Sequence, residues 1–261
     1  DAVGFVYLVP LSAAILLCAV FCILRLRRLI AGAAPGEPAR QAAGSQALGG
    51  NPFAGITHVF QQKYFVGIAI ASVIASLLGT ALYMFMAELV EQSITGTDDQ
   101  TQFFNRVNFW TNLLSLIGQA FIVKHVVQRW NIGISLTLLP IVSIIGFVVL
   151  AFEPTLAVVA LLTIVRRALG FGFSKPTTDM LYSVVTPEEK YKTKNFIDTA
   201  IYRAGDLVGT MAIRGFVALG MGIAMISVVM VPFAAVWGVV VYWLGRDYRR
   251  RALQLKEIGV S

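Results

Sequence analysis

The chain has 261 residues, of which 57% are hydrophobic and 13% charged, and its formal net charge is +7. A soluble domain is usually about a quarter charged, so this composition excludes an ordinary water-exposed surface and points to lipid as the solvent. The positive balance does not indicate nucleic acid, because the basic residues lie between apolar runs rather than on one face of a soluble module.

Runs free of Asp, Glu, Lys and Arg cover 3–24, 64–87, 107–123, 132–152 and 215–245. Each is about as long as a bilayer crossing or longer. That is too long for a buried strand, and the period-two alternation of an outer-membrane barrel is missing. A segment in hydrocarbon must satisfy its own backbone, so these runs predict helices. Splitting the last run at LGMG (219–222), where glycines can turn the chain, predicts helices over 3–25, 64–89, 104–124, 132–152, 155–175, 195–218 and 222–245. The fold class expected is an all-α, polytopic membrane bundle.

In chain order, the first unit (1–30) is one transmembrane helix. Its Cys18 and Cys22 lie one turn apart, with no other cysteine to build a metal or disulfide framework, and read as apolar packing residues. The chain opens at Asp1, and its first run lacks a basic n-region and a clear cleavage site, so it does not read as a signal peptide. A second unit (31–63) begins with an Ala-, Gly- and Pro-rich stretch that reads as a flexible linker. It ends in NPFAGITHVFQQKY, where Phe53, Ile56, Val59 and Phe60 share one side and predict a short interfacial helix. His58 there, and His125 further on, have no partner in the pattern and read as interface residues, not metal ligands.

A six-helix bundle (64–245) and a basic cytoplasmic tail (246–261) complete the order. Arg25, Arg27 and Arg28, then Lys124 and Arg129, then Lys190, Lys192 and Lys194, then Arg246, Arg249, Arg250 and Arg251 follow alternate predicted helices. The positive-inside rule places all four groups in the cytoplasm. The opposite loops, EQSITGTDDQ and FEPT, are acidic or neutral. One helix, a long linker and six more helices are expected of the C-terminal half of a twelve-helix protein, with an N-terminal half-bundle of the same protein as its partner.

Three helices carry polar constellations. In the third, Asn105, Asn108, Asn112, Ser115 and Gln119 fall inside an arc of about 80°. Such a stripe faces either other helices, as hydrogen-bonding glue, or a water-filled path. In the fifth, Thr163, Arg166, Arg167, Gly170 and Ser174 cluster on one side, and Lys175, Pro176 and Asp179 follow, with Pro176 predicting a kink. In the sixth, Asp198, Tyr202, Gly205, Asp206 and Gly209 share a face, and Arg203 stands within i,i+3 reach of Asp206.

Counted from the helix ends, Arg166 and Asp206 each lie about 16 Å deep, near the midplane, and Lys175 and Asp198 meet near the cytoplasmic surface. Charges at that depth cost about 2.5–3.5 kcal/mol each on insertion scales, so they must face inward and compensate one another. The readings open are a structural ion-pair network, an anion site, or a gate. Arg166, Arg167 and Arg203 against Asp206 leave a positive surplus that favours an anion.

The segments RWNIGISLTLLPIVSIIGF and VRRALGFGFSKPTTDMLYSVVTPEEKYKTKNFIDTAIYRAGDLVGT resemble the C-terminal half of the ATP:ADP antiporter family, and most closely its bacterial relatives, whose fold is similar to the major facilitator superfamily. The resemblance covers nearly the whole chain from residue 51 and is most specific over 176–206. It implies a twelve-helix alternating-access carrier, of which this chain is the six-helix C-terminal half plus one preceding helix, in a bacterial inner membrane.

The function expected is secondary transport of an anionic small molecule, with nucleotide exchange as the activity the resemblance implies. Arg166, Arg167, Arg203, Asp206, Asn108, Asn112 and Gln119 are the expected substrate-binding residues. Lys175, Asp179, Asp198 and Tyr202 are the expected gate. Alternatives are a proton-coupled carrier of another solute, with Asp206 titrating, and a non-transporting scaffold. No nucleophile, metal set or acid pair stands at one depth, so no enzyme activity, metal or cofactor is expected.

Overall fold

A computed structural model describes residues 10, 13–14, 16–26, 59–122 and 132–257. The predicted linker, most of the predicted interfacial helix, His58, Lys124, His125 and Arg129 lie outside the described residues. The chain divides into two compact units, Asp1–Gly50 and Asn51–Ser261. The first contains helix α1 (Leu16–Leu26), along which Cys18 and Cys22 are free thiols.

The second unit is a bundle of α2 (Lys63–Ser93), α3 (Thr97–Ile117), α4 (Ile132–Phe152), α5 (Leu156–Leu169), the short α6 (Lys175–Met180), α7 (Pro187–Phe196), α8 (Tyr202–Ala218) and α9 (Ile223–Glu257). No strand occurs among the described residues. Among the described residues, four helical stretches are long and apolar enough to cross a membrane: Lys63–Ser93, Ile132–Phe152, Leu156–Val184 and Ile223–Gln254. The chain is therefore an all-α polytopic membrane protein. The third and sixth predicted helices also form, as α3 and as α7 with α8, but their polar residues keep them below that apolar threshold.

Helix α2 is the centre of the bundle. It packs against α8, α9 and α5, and Phe65, Leu78, Leu82 and Phe85 are buried almost completely. Helices α4 and α9 pack along each other, and α3 packs on α5. Because lipid tails are as apolar as leucine, helices here gain most from close backbone approach at small residues. At the α2–α8 crossing, Gly205 faces Ser76 and Gly209 faces Leu77 and Thr80; a methyl group at Gly205 would stand 2.9 Å from the Ser76 Cβ and one at Gly209 3.1 Å from the Leu77 Cα. Both pairs are spaced i,i+4, so one small-residue ridge lies in one groove.

Local signals account for the ends. The turn predicted at 219–222 forms around Gly220, whose φ of 79° is a left-handed conformation. Gly220 N–H donates to Val217 O and Met221 N–H to Phe216 O, the paired bonds of a Schellman stop. Thr186 caps α7 reciprocally with Glu189, so this helix starts eight residues before the predicted 195. Helix α9 runs on through Glu257, and the basic segment after 245 continues it as helix.

The kink predicted at Pro176 takes the form of a π turn. Gly170–Ser174 is π-helical, and Lys175 N–H donates five residues back to Gly170 O just before the proline. Two more π turns, Gly118–Ile122 after α3 and Ile197–Ile201 before α8, were not anticipated. The first two touch each other, and the third lies against α2.

Candidate functional site

The exposed surface of the bundle has two characters. On α4, and on α9 as far as residue 245, it is apolar, with Ile134, Ile141, Ile145, Met225, Val228 and Val239 open. On α3, α5 and α8 it also carries amides and charges: Asn105, Asn108 and Asn112 are exposed, as are Arg203 and Arg214, and Arg167 is half-buried. The helix order across this side follows from the packing of α3 on α5, α5 on α2 and α2 on α8.

The buried stripe of α3 is Val107, Thr111 and Ser115, with the Thr111 and Ser115 hydroxyls turned back to the carbonyls of Val107 and Thr111. Of the five polar residues predicted to share a face, only Ser115 is buried, and its hydroxyl stays within its own helix; the bonds between helices come from Asn108 and Gln119. Asn108 Oδ1 accepts from Arg167 Nη1 at 3.0 Å, and Gln119 Nε2 donates to Phe171 O at 3.2 Å, joining two π turns. Asn112 is exposed, without a partner among the described residues.

The neighbours Arg166 and Arg167 part company, since consecutive helical positions differ by about 100°. Arg167 reaches α3 on the open side. Arg166 goes inward, 8% exposed. Its Nη2 donates to Ala75 O at 2.6 Å and its Nε to Ser143 Oγ at 3.3 Å, while the Trp237 ring lies 5.9 Å from its guanidinium. The predicted midplane meeting of Arg166 with Asp206 is therefore replaced by a cation that ties α5 to α2, α4 and α9. The physical reason is that a helical carbonyl, a hydroxyl and an aromatic face supply partners a carboxylate was expected to supply.

Asp206 is anchored from the other direction. Its Oδ1 accepts from the Ser76 hydroxyl and from Thr80 Oγ1 at 3.3 Å. Its Oδ2 stands 3.5 Å from Arg203 Nη1, whose side chain is 82% exposed against 34% for the aspartate. Ser76 Oγ also lies 3.0 Å from the carbonyl of Tyr202, whose own ring is half open. A fixed carboxylate thus stands beside an exposed guanidinium that has no other partner among the described residues. The hydroxyls were missed in the sequence, where Ser76 and Thr80 sit inside an apolar run; their signal is the i,i+4 spacing they share with Gly205 and Gly209. Arg214 was missed too, although it stands within about 20° of Arg203 on the α8 wheel.

At the predicted cytoplasmic end, Lys175 Nζ meets Asp198 Oδ2 at 2.8 Å, as the depth count expected. Lys194 Nζ meets Asp179 Oδ1 at 2.9 Å. Lys194 had been assigned only to loop charge. The pattern that finds it is Lys175 with Asp179 and Lys194 with Asp198, each i,i+4: antiparallel helices bring opposite signs into register twice.

A crevice of about 210 Å³ between α3 and α5 is lined by Leu114, Ile117, Val165 and Phe173 among others. Its walls are apolar and offer an anion nothing. Among the described residues, no group of His, Cys, Asp and Glu could hold a metal ion.

Two relatives are found by sequence. Over 221 residues the chain is 21% identical to ADP,ATP carrier protein 2 of Chlamydia pneumoniae, covering 75% of this chain and 41% of that protein. Over 229 residues it is 21% identical to ADP,ATP carrier protein 2 of Chlamydia trachomatis serovar D, covering 78% and 42%. The chain is a distant relative of the ADP,ATP carrier proteins. It spans about two fifths of the length of the curated relatives it matches. No family model and no solved structure matches it.

Proposed function

We propose that this bundle is part of a secondary transporter that moves nucleotide-like organic anions by alternating access. The observation that carries the reading is the open side of α3, α5 and α8, where Arg167, Arg203 and Arg214 outnumber Asp206 among neutral amides. Relation to ADP,ATP carriers supports a nucleotide as the anion class. Arg167 and Arg203 contact its negative charge, Asn108, Asn112 and Gln119 supply directional hydrogen bonds, and Asp206 holds Arg203 until the anion displaces it. Arg166 positions α5 rather than touching the solute. A partner half-bundle covers the open side, which would otherwise present charges to lipid.

Lys175, Asp179, Asp198 and Tyr202, with Lys194, form the cytoplasmic gate in this reading. The two ion pairs close it, and the π turns give α3, α5 and α8 a place to bend.

The test is uptake into proteoliposomes containing the whole protein. Labelled ATP should enter in exchange for internal ADP, and Arg203→Gln should raise the KM at least tenfold. Uptake that requires an imposed proton gradient and is lost in Asp206→Asn would favour the proton-coupled alternative. Absence of exchange with any nucleotide overturns the nucleotide assignment.

A further inference from the structure

The last helix bears a surface outside the residues assigned to transport. Beyond the apolar part of α9, Arg246, Arg249 and Arg250 are exposed and fall within an arc of about 100°. The acid of that turn is already taken. Asp247 Oδ2 is 3.0 Å from Arg251 Nε, and the Arg251 guanidinium lies 4.5 Å from the centre of the Tyr64 ring, so this pair is turned into the bundle. The three outward arginines have no partner among the described residues.

One turn before them stand Tyr242 and Trp243, 48% and 42% exposed. The inner edge of Trp243 rests on Gly67 of α2, where a methyl group would come within 2.8 Å of the ring. Before these rings the same side of α9 exposes Met225, Val228, Val236 and Val239. Along one stripe of one helix the surface therefore passes from aliphatic to aromatic to triply cationic. That is the order acyl chain, interface and headgroup.

We infer that this stripe is a binding site for anionic phospholipid. Arg246, Arg249 and Arg250 grip the headgroup phosphate, Tyr242 and Trp243 pack at the glycerol level, and the acyl chains lie along Val236 and Val239, about 5–9 Å further along the helix. Guanidinium forks match phosphate oxygens bidentately, and juxtamembrane basic clusters concentrate anionic lipid. A soluble anion would use the arginines but not the apolar stripe continuous with them, so the occupant is a lipid.

The experiment offers the purified protein equal amounts of phosphatidylglycerol and phosphatidylcholine with identical acyl chains and counts retained lipid by mass spectrometry of the intact complex. The expected result is at least a fivefold preference for phosphatidylglycerol at 0.1 M salt, lost at 0.5 M salt. R246Q/R249Q/R250Q should abolish the preference, and R246K/R249K/R250K should restore part of it. Equal retention of both lipids by the unaltered protein overturns the inference, and needs no variant to fold. So does a folded glutamine variant with undiminished preference. Displacement of phosphatidylglycerol by millimolar glycerol phosphate would instead identify a soluble-anion site and likewise overturn it.

Discussion

Arg166 and Arg167 are adjacent, equally charged and differently employed. Arg166 is enclosed by Ala75 O, Ser143 and Trp237, whereas Arg167 reaches across open space to Asn108. Arg166→Gln should lower the melting temperature of the detergent-solubilised protein while leaving the KM for nucleotide unchanged. Arg167→Gln should raise that KM severalfold with little loss of stability. The two readouts, thermal unfolding and uptake kinetics, separate a packing cation from a solute-facing one. For Asp206→Asn, the loss of a charge that receives two hydroxyls and a guanidinium should cost about 1–3 kcal/mol, measured by denaturant or thermal unfolding. The presence of these charges was legible in the residue order, because each interrupts an apolar stretch. Their pairing was not, because Ser76 and Thr80 look like ordinary members of a hydrophobic helix until α2 is set against α8.

At the scale of elements, two devices decide how helices meet. The first is the groove where Gly205 and Gly209 receive Ser76 and Thr80. Gly205→Leu should separate α2 from α8 and destabilise by about 1–3 kcal/mol through overpacking, seen as a lower melting temperature and loss of exchange together. The second is the double ion pair between Lys175–Asp179 and Lys194–Asp198. Lys175→Glu or Asp198→Lys alone should alter the exchange rate by weakening the closed gate, and the charge-swapped double variant should recover it. A double-mutant cycle on uptake rate measures that coupling. Helix existence was readable throughout because lipid demands backbone satisfaction within each segment. The π turns were not. Pro176 announced irregularity between α5 and α6, but nothing comparable marks Gly118–Ile122 or Ile197–Ile201.

For the whole molecule, the two surfaces predict two environments. In a background with Cys18 and Cys22 replaced, cysteines at Asn112 and Arg203 should react with membrane-impermeant thiol reagents. Cysteines at Ile141 and Val239 should not, and spin labels there should report contact with hydrocarbon. Residues alone determine that this protein is helical, membrane-embedded and provided with polar helices, since hydropathy, run length and the cost of intramembrane charge are local properties of the chain. Tertiary structure decides which arginine faces inward, which hydroxyls hold Asp206 and which lysine completes the second ion pair. Those outcomes depend on the rotation and approach of neighbouring helices, and small residues distant in the chain set both.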